Sequence, residues 1–199
     1  MFEELNNLVQ SIADYSYETY QHSVKVGMLS ARIANFLELS KTQVSLIKHA
    51  GLLHDIGKIK IDPIILNKPG RLTSKEFAII KKHTEYGINI LSSYPWAKPF
   101  LQLVNLHHER WDGNGYNGIH GRNIPMGAKI LALADAFDAM NSRRPYSQIK
   151  SREQSINEIE RLSGTQFDPC LVEKVIQDSD KILIIDWDGV VKFEIRKFK

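Results

Sequence analysis

The sequence predicts a mainly α-helical fold with a small β-hairpin at its C-terminal end. Apolar side chains recur at helical spacing over residues 17–39. The pattern S-x-x-Q at Ser40 and the pattern T-x-x-E at Thr73 are capping boxes, which mark the beginnings of two further helices. Near the C-terminus, Asp188-Gly189 separates two alternating runs rich in β-branched residues, and this arrangement is typical of a hairpin.

The remaining elements follow from caps and breakers. Pro125 suits the first turn of a helix, and Asp168-Pro169 combines an N-cap with a proline at the first helical position. Glycine-rich residues 109–121 have no helical or strand period and predict a loop. We therefore expect one helical domain over 1–179 and a hairpin over 180–199. The expected helices cover residues 3–14, 17–39, 40–54, 73–91, a segment ending near 108, 125–141, 150–163 and 169–178.

Composition excludes several classes of protein. The chain has 199 residues, of which 43% are hydrophobic and 25% charged, so it can bury a core and is not a disordered tail. Its one cysteine allows no internal disulfide, and no run of apolar residues is long enough to cross a bilayer. The acidic start lacks a signal-peptide pattern, so we expect a cytoplasmic protein. Seven histidines against one cysteine favour a metal site of imidazole and carboxylate.

Charge is unevenly distributed along the chain. The net charge is only +3, which argues against a long nucleic-acid footprint. Residues 58–82 nevertheless carry seven basic and two acidic side chains, and residues 141–152 carry four basic and no acidic ones. If both segments border one site, they would favour a small anionic ligand there.

His54-Asp55 is the first candidate for chemistry. The pair follows an apolar helix, so both side chains should be held on a rigid element, where imidazole and carboxylate can share metal ions. Lys58 lies one turn further and could stabilise charge on a phosphate oxygen. A dipeptide of this kind is common by chance, and the simpler alternative is a histidine favoured by the helix dipole at a C-terminus.

Other candidates are individually weak. Neighbouring histidines on a helix, as at His107-His108, point about 100° apart. They could bind two metals, or one metal and a group that supports its ligands, or they could simply form a half-exposed helix end. Glu18 and His22, four residues apart, share a helical face, which suits either two ligands or a surface pair. Asp135 lies among small apolar residues, where a buried carboxylate requires a partner.

Taken together and in order, these segments resemble the HD-GYP subgroup of HD-domain metal phosphohydrolases, which are bacterial cyclic di-GMP phosphodiesterases. The resemblance covers roughly residues 17–170 and is carried by HAGLLHDIGKIKI, LNKPGRLTSKEF, KKHTEYGINIL, HHERWDGNGYNG, IPMGAKILALADAFDAM and RRPY. It implies an HD-domain helical bundle with a catalytic domain over 1–179.

The resemblance also implies the residues of the site. Asp55 matches the family's bridging aspartate and Lys58 a lysine that contacts phosphate, so these are the expected catalytic positions. Two or three divalent ions are implied, with Glu18 favouring the form with three. A nitrogen and oxygen ligand set suits iron or manganese, and cobalt, nickel or zinc also fit. The implied metal ligands are Glu18, His22, His54, Asp55, His83, His107, His108 and Asp135. The implied substrate contacts are Lys58, Asp112, Gly113, Gly115, Tyr116, Arg144 and Tyr146.

Two positions depart from the family pattern. Asn117 stands where the family has proline, and Ser147 where many members have a basic residue. Because proline pre-sets the backbone, we expect Asn117 to give looser substrate positioning or an altered preference. Neither position is a metal ligand.

The resulting hypothesis is a metal-dependent phosphodiesterase that converts cyclic di-GMP to pGpG and further to GMP, by attack of a hydroxide that bridges the metals. Three alternatives stay open: a cyclic-dinucleotide-binding module with low turnover, an HD-type phosphohydrolase of another nucleotide, and a scaffold. A protein signalling partner or self-association is a further expectation, and no membrane span is expected.

Overall fold

The structure is a computed structural model that describes residues 1–142 and 149–183, and it is built from α-helices joined by short 3₁₀ segments. The first half contains α1 (Phe2–Tyr15), α2 (Tyr17–Phe36), α3 (Lys41–Leu53), α4 (Pro63–Leu66), α5 (Ser74–Lys81) and α6 (His83–Leu91). The second half contains α7 (Leu101–Leu106), α8 (Met126–Asn141), α9 (Arg152–Arg161), α10 (Pro169–Gln177) and α11 (Ser179–Ile182). Segments of 3₁₀ helix cover Ile56–Lys60, Pro95–Phe100 and Gly121–Asn123.

The predicted caps form as hydrogen-bonded structures. The Ser40 hydroxyl accepts a hydrogen bond from the backbone N–H of Gln43, and the Gln43 side chain accepts one from the backbone N–H of Ser40. Thr73 and Glu76 make the same reciprocal pair. The Asp168 side chain accepts from two backbone N–H groups of α10. The mainly α-helical prediction is therefore confirmed, and these caps place the helices that carry the site.

Helix α2 lies at the centre of the fold and packs against α1, α3 and α8. Its predicted apolar stripe is buried, with Val26, Leu29 and Ile33 fully inaccessible to solvent. Phe137 on α8 and Phe100 are the largest side chains buried to this extent. The core is thus continuous along the helices that carry the candidate ligands.

The prediction of one helix over 73–91 is wrong, because the chain breaks at Lys82 into α5 and α6. Lys82 donates its backbone N–H to Ile79, three residues back, which tightens the turn and redirects the chain. Helix α6 then packs against the 3₁₀ segment after Asp55. At Gly57 an added Cβ would lie 1.9 Å from the carbonyl oxygen of His83, so only glycine allows this approach.

The C-terminal prediction is tested only in part. Lys181 and Ile182, which the sequence pattern assigned to the first strand of the hairpin, belong to α11 instead. Ile182 is buried in the helical core and its carbonyl accepts a hydrogen bond from Arg32, which explains the helical ending. The predicted boundary after residue 179 therefore falls within α11. The turn at Asp188-Gly189 lies outside the described residues.

Strands and membrane spans can be assessed only within 1–142 and 149–183. In these ranges the β-structure is one isolated bridge between Ser163 and Phe167. No helix there is both long enough and apolar enough to cross a bilayer.

Candidate metal centre

Seven of the eight predicted ligands converge at one end of the bundle. Within the described residues they form two groups of ligand atoms, each group within 4.8 Å: His22, His54 and Asp55 in one, and His83, His107 and His108 in the other. Asp135 joins the first group, since its Oδ1 lies 3.0 Å from His22 Nε2. The ligands come from α2, α6 and α8 and from the residues that directly follow α3 and α7.

Asp55 lies between the two groups. Its Oδ2 is 3.3 Å from His54 Nε2 and 3.7 Å from His22 Nε2, whereas its Oδ1 is 3.4 Å from His83 Nε2. One carboxylate therefore faces both groups, an arrangement that suits a bridging ligand. Lys58 Nζ lies 2.5 Å from Asp55 Oδ2. Burial opposes ionisation of Asp55, but Lys58 and His54 outweigh it and hold the pKa of the carboxyl well below its usual value.

Three histidines are oriented by the same device. His54, His83 and His107 each place Nδ1 2.7–2.8 Å from the carbonyl oxygen three residues earlier. Because a carbonyl can only accept, each Nδ1 must carry the proton. Each neutral ring then presents the lone pair of Nε2 to the cluster, which is the form required of a metal ligand.

His22 is oriented by a residue that the sequence analysis missed. Asp138, one turn after Asp135 on α8, is buried and lies 2.7 Å from His22 Nδ1. Burial lowers the pKa of His22, but the hydrogen bonds that its ring donates to Asp135 and Asp138 outweigh burial and raise the pKa to about 9. The spacing of three residues in ADAFD was the available signal, since it places both carboxylates on one helical face.

Three other histidines of the cluster have lowered pKa values. Burial lowers the pKa of His108 to about 4, and burial together with the neighbouring His108 and His54 lowers the pKa of His107 well below its usual value. Burial also lowers the pKa of His83. Neutral imidazoles are ready to bind a metal without first losing a proton.

The donor set fits divalent cations. His83 Nε2 and His107 Nε2 lie 3.3 Å apart although both rings carry their proton on Nδ1, so two lone pairs face one another. His54 Nε2 is buried and has no hydrogen-bond partner among the residues that the structure describes. Buried acceptors that face each other are costly unless a cation lies between them, and imidazole with carboxylate suits iron, manganese or zinc.

Glu18 stands apart from this cluster. It lies on α2 one turn before His22, and its side chain is exposed. It is not among the two groups of ligand atoms in the described residues. Its role as a ligand of a third ion remains a prediction.

The glycine-rich loop covers the cluster. The Tyr116 ring lies 4.6 Å from the His108 ring, and Lys81 Nζ lies 4.7 Å from the Tyr116 ring centre. Burial, followed by the charges of Asp55 and Asp135, raises the pKa of Tyr116 to about 12, so the phenol keeps its proton. The resemblance assigned Tyr116 to substrate, and its position above the ligands supports that assignment.

Asp112 and the two glycines shape this loop. Asp112 accepts hydrogen bonds from Arg110 at 2.8 and 3.1 Å and from the backbone of Asn114, so it is occupied within the loop. Gly113 has φ of +78°, which favours glycine. At Gly115 an added Cβ would lie 2.6 Å from Glu109 Cα, so the loop lies directly on Glu109.

Two cavities meet at Tyr116. The larger, of about 470 Å³, is next to the predicted ligands His107, His108 and Asp135 and also touches Lys150. The smaller, of about 340 Å³, is lined by polar side chains that include Lys81, Asn105 and Asn117. Volumes of this size are typical of small-molecule sites. The predicted contacts Arg144 and Tyr146 lie outside the described residues.

Comparison with known proteins identifies the class that this fold and site define. The sequence model of the HD domain matches residues 6–171, and the chain therefore belongs to the HD-domain family. The family resemblance drawn from the motifs is confirmed.

Curated relatives are similar over most of this chain. A cyclic di-GMP phosphodiesterase of Thermotoga maritima is 46% identical over 89% of this chain and 49% of its own length. A 3′3′-cGAMP-specific phosphodiesterase of Vibrio cholerae is 37% identical over 92% of this chain and 36% of its own length. This chain thus spans half or less of the length of these relatives.

Solved structures share the fold at low sequence identity. A cyclic GMP-AMP specific phosphodiesterase of V. cholerae has a TM-score of 0.68 and 20% identity, over 96% of this chain and 53% of that chain. The HD domain of the L. monocytogenes phosphodiesterase PgpH, in complex with cyclic-di-AMP, has a TM-score of 0.64 and 19% identity, over 89% and 93%. These likenesses establish the helical fold.

Proposed function

We propose that the chain hydrolyses a phosphodiester bond of a cyclic dinucleotide, converting cyclic di-GMP to linear pGpG and then to GMP. The observation that carries this proposal is the position of Asp55, whose two carboxylate oxygens face two groups of oriented imidazoles. The name of the T. maritima relative supports cyclic di-GMP as the substrate.

The proposed cofactors are two or three divalent ions, iron or manganese. Seven residues would hold two of them: His22, His54, Asp55, His83, His107, His108 and Asp135. Glu18 would contribute to a third. When bound, such ions supply a water of lowered pKa and neutralise charge on the phosphate.

The chain's own residues would bind and orient the substrate. Lys58, whose side chain is 21% exposed, has an ammonium group available to a phosphate oxygen beside Asp55. Tyr116 keeps its proton and can donate a hydrogen bond to the ligand in the larger cavity. Lys150 adds positive charge to the wall of that cavity. Orientation of this kind lowers the entropic part of the barrier.

A second candidate substrate is 3′3′-cGAMP, because the V. cholerae relative carries that specificity in its name. The loop departure at Asn117 lies beside Tyr116, so it could alter the preference between the two nucleotides. A cytoplasmic location and a protein partner or self-association remain predictions.

The test is hydrolysis by the full chain loaded with Mn²⁺. Cyclic di-GMP, 3′3′-cGAMP, cyclic-di-AMP and GDP would be offered separately and the products resolved by chromatography. We expect pGpG from cyclic di-GMP, and its formation at least about a hundredfold slower with Asp55→Asn. Asp180→Asn is the matched control, since Asp180 forms a surface ion pair with Arg152. Tight binding of cyclic di-GMP without product would favour the low-turnover module, and turnover of GDP alone would contradict the proposal.

A further inference from the structure

Glu109 is a buried carboxylate that lies directly beneath the glycine-rich loop. It follows the ligand pair His107-His108 and is only 3% exposed. Its Oε1 accepts hydrogen bonds from the backbone N–H and the side-chain amide of Asn117, at 2.7 and 3.1 Å. Its Oε2 accepts from the backbone N–H of Ile119 at 2.7 Å. Both carboxylate oxygens are therefore engaged by the loop and not by the metal cluster.

These contacts flank Tyr116 on both sides in the sequence. Gly115 packs so closely on Glu109 that an added Cβ would lie 2.6 Å from Glu109 Cα and 2.8 Å from its Oε2. The backbone N–H and the side-chain amide of Asn117 both donate to Oε1. Because the residues before and after Tyr116 both contact Glu109, the backbone of Tyr116 is fixed relative to His108, the neighbour of Glu109 in the sequence.

Asn117 supplies this anchor through two donors that a proline would lack. Proline has no backbone N–H and no side-chain amide, so it could make neither hydrogen bond to Oε1. The Asn117 amide also donates to the carbonyl of Asn105, at the end of α7, with a distance of 3.4 Å. In this chain, hydrogen bonds to a buried charge therefore supply the restraint, and such bonds are stronger than those between neutral groups.

We propose that Glu109 and Asn117 form a clasp that positions Tyr116 between the two cavities and sets substrate affinity. Tyr116 lines both the 470 Å³ and the 340 Å³ cavities, so a shift of its side chain would change the shape of both. Glu109 is a positioning residue, since its oxygens contact the loop. The effect on substrate rests on the proposed function, whereas the positioning of the loop does not.

The first test measures the clasp without substrate. Backbone amide exchange is followed in the Mn²⁺-loaded full chain for wild type, Glu109→Gln and Glu173→Gln. The side-chain NH₂ group that Glu109→Gln introduces would oppose one of the loop's N–H donors, so we expect exchange at Asn117 and Ile119 to accelerate at least tenfold. Glu173 is exposed on α10, and its variant should behave as wild type. Unchanged exchange at both amides in Glu109→Gln would overturn the proposal.

The second test measures whether the clasp acts through Tyr116. For cyclic di-GMP, Glu109→Gln should raise KM about tenfold and change kcat less than about threefold. Asn117→Ala keeps its backbone N–H, so it should raise KM only about threefold. In a Tyr116→Ala background, Glu109→Gln should change KM less than twofold. Equal effects in both backgrounds would overturn the proposal. Asn123→Ala, an exposed asparagine near the loop, is the control.

The two tests separate the clasp from the proposed function. Faster loop exchange in a protein that hydrolyses no cyclic dinucleotide would retain the clasp and refute the proposed substrate. Hydrolysis of cyclic di-GMP by the wild type, together with unchanged loop amide exchange in Glu109→Gln, would retain the proposed function and refute the clasp. Manganese content, measured for every variant, should stay within error of wild type, because Glu109 contacts the loop.

Discussion

The metal cluster and the glycine-rich loop that covers it are held in place by different means. The ligands of the cluster project from helices whose apolar faces form the core, and backbone carbonyls or Asp138 orient four of the histidines. The loop over residues 109–121 is held mainly by hydrogen bonds. These include bonds to the buried carboxylate of Glu109, and bonds from the backbone N–H groups of Trp111 and Asp112 to Gln166 and Thr165. The proposed metal ligands thus lie on a rigid scaffold, and the proposed substrate contact Tyr116 lies on a segment that hydrogen bonds restrain.

The largest effect should come from Asp55, whose two carboxylate oxygens face both groups of ligands. Asp55→Asn removes the negative charge between them, so we expect phosphodiesterase activity to fall about a hundred- to thousandfold. Metal content per chain, measured by elemental analysis, should fall with it. Asp180→Asn should leave both unchanged. Wild-type activity in Asp55→Asn would refute the role of the cluster.

A smaller loss is expected at Asp138, which contacts a ligand without being one. Asp138→Asn weakens the hold on His22 Nδ1, and loss of such an outer partner typically lowers metal affinity about 10–100-fold. Competition with a chelator of known affinity would measure this change. If the metal affinity is unaltered, the role of Asp138 is to stabilise the packing of α2 on α8, and it does not orient His22.

Gly115→Ala should disturb the glycine-rich loop and leave the metal cluster intact. The added Cβ would lie 2.6 Å from Glu109 Cα, so the loop must move while the ligands stay in place. We expect kcat/KM to fall roughly tenfold, as when one good contact is lost, with metal content unchanged. Loss of metal in this variant would show that the loop supports the cluster.

The smallest effect is expected at Lys81, whose ammonium lies over the outer face of Tyr116. A partly exposed cation–π contact contributes about 0.5–1 kcal/mol, so Lys81→Gln should lower kcat/KM about two- to fivefold. Lys75→Gln, on the exposed part of the same helix, is the charge-matched control. Equal losses in the two variants would indicate a general electrostatic effect in place of the contact.

Sequence analysis predicted what depends on local pattern. Capping boxes at Ser40 and Thr73 are local, and so is the apolar stripe of α2, and the structure contains all three. The ligand positions followed from motifs that the family resemblance aligned. Seven of the eight predicted ligands meet in space, whereas Glu18 lies outside the two groups of ligand atoms.

Features that depend on tertiary contact were missed. The helix break at Lys82 is caused by the packing of α6 on Gly57. Sequence analysis missed it because no proline or glycine marks the position. Asp138 and Glu109 looked like ordinary charged residues, since only burial beside His22 or beneath the loop reveals their partners. The first strand of the hairpin was expected from Lys181, but core packing of Ile182 extends the helical region there.

The most direct test of the central claim is the number of divalent ions that the full chain binds after purification without air. With one carboxylate facing two groups of oriented imidazoles, the structure predicts at least two ions per chain, measured by elemental mass spectrometry against protein concentration. Asp55→Asn should retain no more than one. A wild-type chain that binds one ion or none, even after incubation with excess Fe²⁺ or Mn²⁺, would contradict the account.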